Sequence, residues 1–135
     1  MARCIDEFPS RVRIDLNGVW RFAAFKKAPP GRPPAEALTD ALPVPGVWES
    51  EFRHFRHRGC GGYWREFHLP GDRRATLRLV FEAASHTARV WLDDRPIGRH
   101  YGGYTRFEFI CPNVAPGRHS LTVLVDNTFG PHHPL

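Results

Sequence analysis

The chain has 135 residues, of which 41% are hydrophobic and 13% aromatic. That size and composition suffice for one buried core, which excludes a disordered or low-complexity chain. The formal net charge is +5, from 19 Lys and Arg against 14 Asp and Glu. Acidic residues are interleaved with the arginines through most of the chain, although Arg53–Arg58 contains none. The charge therefore predicts a mixed solvated surface rather than a nucleic-acid-binding face.

The sequence also lacks the usual signals for membranes and disulfides. No apolar run approaches the ~18 residues of a membrane span, and the start of the chain has no apolar stretch like that of a secretory signal. The cysteines are Cys4, Cys60 and Cys111, an odd number at distant positions, which argues against a disulfide framework and a cysteine-based zinc site. We expect a cytoplasmic protein that does not contact membranes.

From Gly18 onward, apolar residues recur mostly at every second position, which is typical of half-buried β-strands. The predicted strands are Gly18–Phe25, Tyr63–Leu69, Thr76–Ala83, Thr87–Asp94, Arg106–Cys111 and Ser120–Asn127, with a short one around Ile97–Arg99. In each of the last four long strands the apolar set faces one way and the charged set the other. The pattern predicts an all-β sandwich or jelly roll.

Turn residues and two polar segments separate these strands. Lys26–Pro34, rich in proline and positive charge, is predicted to be an exposed loop. Ala35–Ala41 could form one or two helical turns at most, and Arg53–Gly62 is predicted to be a second long loop. We find no internal repeat and no domain boundary, so residues 1–135 are interpreted as one domain.

Histidine pairs suggest a metal site at first sight. His54 and His57 are three residues apart, and His132 and His133 lie near the end of the chain. A zinc site needs several convergent ligands, and no carboxylate lies at ligand spacing from either pair. We interpret them as solvated and expect no metal and no cofactor.

Two neighbouring pairs could suggest catalysis. Ser85 and His86 are adjacent, but adjacent strand residues point to opposite faces, so they cannot form a nucleophile–base pair. Asp93 and Asp94 lie where a strand enters a turn, which favours a turn-capping role over a glycosidase carboxylate pair. We expect no catalytic residue in this chain.

A series of local motifs carries a family resemblance. Leu16–Phe22 reads LNGVWRF, Leu42–Glu49 reads LPVPGVWE, Gly62–Leu69 reads GYWREFHL, and Leu121–Phe129 reads LTVLVDNTF, while Arg78–Phe109 contains WLDDRPIG and GGYT. In this order and spacing they resemble the N-terminal sugar-binding-type domain of glycoside hydrolase family 2. That family includes β-galactosidases, β-glucuronidases and β-mannosidases, and the part containing WLDD and GGYT is most similar to the β-glucuronidase branch.

The resemblance implies a galactose-binding-domain-like jelly roll, fused in the whole enzyme to an immunoglobulin-like domain and a (β/α)₈ barrel. Both catalytic glutamates of the family lie on that barrel, so the chain alone is expected to be inactive. The implied partners are the barrel domain and a β-glycoside, with a homo-oligomer as a further possibility. Domain 1–135 would support the barrel and contribute to the rim of its sugar pocket.

The loop from Gly46 to Gly62 is the candidate rim. Trp48 and Glu49 are the residues in it that we expect to approach a sugar. In the β-galactosidase branch an Asn precedes this Trp and reaches the sugar, whereas this chain has Val47, which makes no hydrogen bond to a hydroxyl.

The resemblance further implies that the domain normally continues beyond Leu135. We therefore expect a C-terminally truncated jelly roll that lacks its closing strand and exposes an edge that recruits other chains. Two other classes stay open. A free-standing carbohydrate-binding module would share the fold, and a basic nucleic-acid-binding module would bind with a steep salt dependence.

Overall fold

The computed structural model describes residues 2–6, 13–44, 60–81, 87–101 and 106–126. This part of the chain contains β-strands and a single turn of 3₁₀ helix at Ala35–Ala37. The strands are β1 Ala2–Asp6, β2 Arg13–Asp15, β3 Gly18–Phe25, β4 Asp40–Val44, β5 Cys60–Leu69, β6 Ala75–Phe81, β7 Thr87–Leu92, β8 Arg95–Tyr101, β9 Phe107–Val114 and β10 Gly117–Asp126.

The strands form two sheets. One sheet has the order β2-β1-β6-β9, and the other has the order β4-β3-β5-β10-β7-β8. Neighbouring strands are antiparallel in both, although β5, β10 and β7 are far apart in sequence. Crossovers of this kind between two antiparallel sheets are those of a β-sandwich, which confirms the predicted fold class.

The core lies between the two sheets and follows the predicted alternation. Leu77, Leu79 and Phe81 of β6 are fully buried, and so are Leu121 and Val123 of β10. Burying one such side chain stabilises the fold by about 1.5–3 kcal/mol, so the alternating positions supply most of the driving force. The inward faces predicted for these two strands are confirmed.

Three strands were not predicted, namely β1, β2 and β4. Asp40 and Ala41 belong to β4, so the helical expectation for Ala35–Ala41 holds only for its first three residues. Pro43 also lies in β4, which is possible because β4 is the outermost described strand of its sheet and proline can lack a ladder hydrogen bond there. The predicted loop Arg53–Gly62 ends earlier than expected, because Cys60 begins β5.

The expectation of a missing closing strand concerns residues beyond those that the structure describes. It stays a prediction. Among the described residues, no helix has the length and apolar character needed to cross a membrane.

Candidate functional site

One end of the six-stranded sheet carries the candidate site. Antiparallel pairing aligns Phe25, Cys60, Asp126, Thr87 and Tyr101 in a single row across β3, β5, β10, β7 and β8. We call this end of the sheet the cleft end. The row lies at the end of β3, β8 and β10 and at the start of β5 and β7, so connecting segments of the chain leave the sheet here.

The next row on the same face brings two arginines together. Leu124 of β10 pairs with Arg89 of β7, and Arg89 pairs with Arg99 of β8. Strand alternation directs Arg89 outward because its neighbours Ala88 and Val90 are buried in the core. A cleft of about 440 Å³ opens over these two rows. Its lining includes Cys60, Arg89, Arg99, Tyr101, Leu124 and Asp126.

A small apolar cluster forms the floor beside the cleft. Cys60, Trp91 and Leu124 are buried on the outer face of the sheet, and Phe25 packs against them. Trp91 lies two residues after Arg89 in β7, so strand alternation predicts the same outer face for it, but only 5% of its surface is exposed. The guanidinium of Arg89 lies 4.9 Å from the ring centroid of Trp91, which is the geometry of a cation–π contact. Part of this face is therefore buried, around Cys60, Trp91 and Leu124, whereas Arg99 and Tyr101 on the same face are exposed.

The loop after β3 bounds the apolar side of this face. Leu38 is only 2% exposed and lies over β5. A Cβ atom added to Gly62 of β5 would come within 3.2 Å of a methyl group of Leu38 and within 3.0 Å of the Phe25 ring. Gly62 thus lets both side chains pack close to the strand. The predicted exposed loop Lys26–Pro34 is mostly exposed, but Pro33 within it is buried.

The described residues that line the cleft carry a net positive charge. Arg89 and Arg99 contribute two positive charges, and Asp126 contributes one negative charge. Burial raises the pKa of the Cys60 thiol to about 12, with Asp126 adding to the rise and Arg89 opposing it. The thiol is therefore neutral at physiological pH and does not offset the arginines.

The raised pKa of Cys60 gives a testable prediction. We expect native Cys60 to resist alkylation by iodoacetamide at pH 8, because the thiolate is the reactive form and the side chain is buried. Peptide-resolved mass spectrometry in buffer and in urea measures this, with rapid labelling expected only after unfolding. Burial also raises the pKa of Cys111, so both sites should be protected. Labelling of native Cys60 at the rate of the unfolded chain would contradict the prediction.

The same shift sets a pH dependence of stability. The folded pKa of Cys60 lies above its ordinary value of 9.0, so the folded state retains the proton longer than the unfolded state does. Its contribution to stability is complete below pH 9 and is lost as the pH rises toward 12. In urea unfolding, the midpoint of Cys60→Ala should therefore decrease less between pH 9 and pH 12 than the midpoint of the parent chain does.

The sequence-predicted rim residues cannot be compared with this geometry. Trp48 and Glu49 lie outside the described residues, as do residues 46–59 of the loop, and their role stays a prediction. The loop is nevertheless continuous with β5, whose first residue, Cys60, lines the cleft. The pairs His54/His57 and Ser85/His86 also lie outside the described ranges, as do His132 and His133.

Asp93 lies in the turn between β7 and β8, as predicted. Its carboxylate accepts a hydrogen bond of 2.9 Å from the Ser120 backbone N–H and lies 2.8 Å from Nδ1 of His119. This is a structural contact between the turn and β10. Both of these partners of the Asp93 carboxylate belong to β10 and neither is a carboxylate, and a cap on its own turn stays a prediction.

The described lining residues of the cleft offer charged and hydrogen-bonding groups. Asp126 is the one carboxylate among the cleft-lining residues that the structure describes, and glycoside hydrolysis needs two flanking one bond. Within the described ranges, no group of three His, Cys, Asp or Glu side chains could hold a metal ion. Two guanidiniums and a phenol can instead bind an anionic, hydroxylated ligand.

Comparison with known proteins identifies the family. No protein-family model matches the chain. Human β-glucuronidase is 31% identical over 147 residues, which cover 93% of this chain and 23% of that enzyme. The β-glucuronidase of Paenibacillus borealis is 32% identical over 131 residues, covering 84% of this chain and 21% of the enzyme.

Solved structures of similar fold come from the same kind of enzyme. The β-glucuronidase of Faecalibacterium prausnitzii superposes with a TM-score of 0.73 at 31% identity, covering 93% of this chain and 22% of that one. A family 2 β-galacturonidase from Eisenbergiella tayi superposes with a TM-score of 0.72 at 36% identity, covering 87% of this chain and 20% of that one. The chain belongs to glycoside hydrolase family 2. It spans between 20% and 23% of the length of these four relatives.

Proposed function

We propose that this family 2 domain is the non-catalytic N-terminal part of a retaining β-glycosidase that removes hexuronic acids, in the manner of a β-glucuronidase or β-galacturonidase. The supporting observation is the similarity to β-glucuronidases over 93% of the chain, together with the superposition on a β-galacturonidase. Carbohydrate metabolism is then its setting, and a β-glycoside is its substrate in the whole enzyme.

The domain's role in this proposal is to support a catalytic barrel and to shape the rim of its sugar pocket. A single carboxylate in the described cleft supports this, since the acid/base and the nucleophile must then come from elsewhere. The rim loop is Gly46 to Gly62, which is continuous with β5 at the cleft end. Trp48 and Glu49 are the residues on it that would approach the sugar.

A graft tests the proposal. The corresponding segment of the Faecalibacterium prausnitzii β-glucuronidase is replaced by this chain, and hydrolysis of p-nitrophenyl β-glucuronide is measured. We expect a soluble, active chimera, because the two folds superpose over 93% of this chain. A graft of an unrelated β-sandwich of equal length is the control and should be inactive. A soluble but inactive graft of this chain would contradict the supporting role.

Within the active graft, Trp48→Ala and Glu49→Ala test the rim. Contact with the substrate predicts a higher KM or a lower kcat/KM for each variant. Exposed Glu36→Ala, in the described 3₁₀ turn, is the matched control and should leave both constants unchanged. Unchanged kinetics in both rim variants would remove Trp48 and Glu49 from the rim.

The isolated 135-residue chain is expected to show no turnover of p-nitrophenyl β-glucuronide or β-galactoside. Hydrolysis requires a proton donor and a nucleophile on opposite sides of one bond, and the family resemblance places both on another domain. The intact Faecalibacterium prausnitzii enzyme, assayed in parallel, is the positive control. Turnover by a preparation proven free of host glycosidase would contradict the assignment as non-catalytic.

A further inference from the structure

The pairing of Arg89 with Arg99 is the starting observation. The two residues lie directly opposite each other in the β7–β8 register, and both line the cleft. Like charges directly opposite on one face of a sheet destabilise it. Arg89 is half-buried, so solvent screens its charge less than it would on an open surface. An anion in the cleft would turn this unfavourable pair into a favourable one.

The charges of the described lining residues do not cancel. Asp126 compensates one of the two guanidinium charges, and the neighbouring Cys60 thiol stays neutral. Within the part of the lining that the structure describes, the formal charge is therefore +1. A ligand with one carboxylate would bring the balance to zero.

Arg89 is also held in place for such a ligand. Its guanidinium lies 4.9 Å from the ring centroid of Trp91, whose own position is fixed by burial against Cys60 and Leu124. A guanidinium that already has such a contact loses less side-chain entropy on binding. The planar guanidinium matches a carboxylate in a bidentate geometry, which a lysine could not provide.

The rest of the lining fits a sugar ring better than a small inorganic anion. Tyr101 is an aromatic residue that is 51% exposed, and Thr87, which has a hydroxyl group, pairs with it in the same row. Leu124 provides an apolar wall. The volume of about 440 Å³ lies within the usual range of ligand pockets and exceeds what a lone sulfate or acetate would fill.

We propose that the cleft end carries a binding site for a carboxylate-bearing sugar, a hexuronate, with Arg89 and Arg99 pairing with the carboxylate. Tyr101 packs on the ring face, and Thr87 and Asp126 bind hydroxyl groups. The choice of a sugar acid among carboxylates rests on the proposed function. The site itself lies on this domain, so it can be tested without a barrel.

The test is a titration of the full 135-residue chain, followed through the Nε–H signals of its arginines in ¹⁵N NMR spectra. The probes are sodium glucuronate and sodium galacturonate, with glucose as the neutral sugar and acetate as the carboxylate without a ring. We expect saturable shifts with at least one uronate, and affinities about tenfold or more weaker for glucose and acetate. Equal affinity for glucose, equal affinity for acetate, or no saturation with either uronate would each overturn the proposal.

Matched variants locate the site. Arg99→Gln removes an exposed cation from the cleft, and we expect it to weaken uronate binding by about tenfold or more. Arg118→Gln removes the same charge from the far end of β10, where an 81% exposed side chain lies 3.9 Å from Glu66, and should leave the affinity within about twofold. Equal weakening by both variants would indicate a general charge effect and overturn the site.

A second substitution of Arg99 distinguishes a loss of binding from a loss of folding. Arg99→Lys keeps the charge and most of the apolar stem, so it should fold as the parent does and bind with intermediate affinity. Full affinity in Arg99→Lys together with full affinity in Arg99→Gln would exclude Arg99 from the site. Hydrolysis by the graft and uronate binding by the chain are separate readouts, so a failure of the site is distinguishable from a failure of the proposed function.

Discussion

Phe81→Ala is expected to reduce the free energy of unfolding by about 3–5 kcal/mol, the largest single effect that we predict for the core. Phe81 is fully buried at the end of β6. Its ring stacks on Phe107 at a centroid distance of 5.0 Å and meets the Phe109 ring edge-on at 6.3 Å. Truncation therefore removes the shared partner of two aromatic rings and leaves a cavity between the sheets.

Urea unfolding followed by tryptophan fluorescence measures the effect. Domains of this size have a free energy of unfolding of about 5–15 kcal/mol. A loss of about 3–5 kcal/mol would therefore lower the urea concentration at the unfolding midpoint by a large fraction. Ile110→Ala is the matched control, since this β9 side chain is 52% exposed and its truncation should cost less than about 1 kcal/mol. A similar midpoint for the two variants would show that Phe81 does not anchor the core.

The strands with the longest alternation could be predicted from the sequence. Leu77, Leu79 and Phe81 repeat with period two, and so do Leu121, Val123 and Val125, because each strand buries one face against the other sheet. β2 has three residues, which is too few to show a period. β4 carries a proline that argues against a strand, and its edge position becomes apparent only in the sheet order.

The cleft could not be predicted, because it depends on register between strands. Arg89 and Arg99 meet only through the β7–β8 pairing, and that register shifts between Val90 and Trp91. The burial of Trp91 requires Phe25, Cys60 and Leu124 from three other strands. One local signal was available. A tryptophan on the polar face of an alternating strand would expose a large apolar area to water, so its presence indicates that residues from other strands pack over it.

Asp93→Ala is expected to destabilise the chain by about 2–4 kcal/mol, because it combines two losses. Asp93 has a φ of 56°, a left-handed conformation that aspartate and asparagine tolerate better than alanine. Its backbone N–H donates to the Ser120 carbonyl at 2.8 Å, and its carboxylate accepts from the Ser120 N–H at 2.9 Å. Both contacts fasten the β7–β8 turn to β10.

The carboxylate also holds His119. Nδ1 of His119 lies 2.8 Å from one carboxylate oxygen of Asp93, while Nε2 lies 2.6 Å from the carbonyl oxygen of Ala115. The imidazole thus joins the β7–β8 turn to the β9–β10 connection, and it packs against Phe67 at a ring distance of 5.8 Å. Removing the carboxylate leaves His119, whose side chain is 12% exposed, without this partner.

Three substitutions of Asp93 separate the contribution of the left-handed backbone from that of the carboxylate contacts. The free energy of unfolding in urea measures each of them. Asp93→Asn keeps an acceptor for the Ser120 N–H and tolerates the left-handed backbone, so it should cost about 1 kcal/mol. Asp93→Gly relieves the backbone but removes every side-chain contact, so it should fall between the asparagine and alanine variants. Equal stability of Asp93→Gly and Asp93→Ala would assign the whole effect to the lost contacts. Equal stability of Asp93→Asn and Asp93→Ala would contradict the prediction, because alanine can reproduce neither the acceptor nor the tolerance for a φ of 56°.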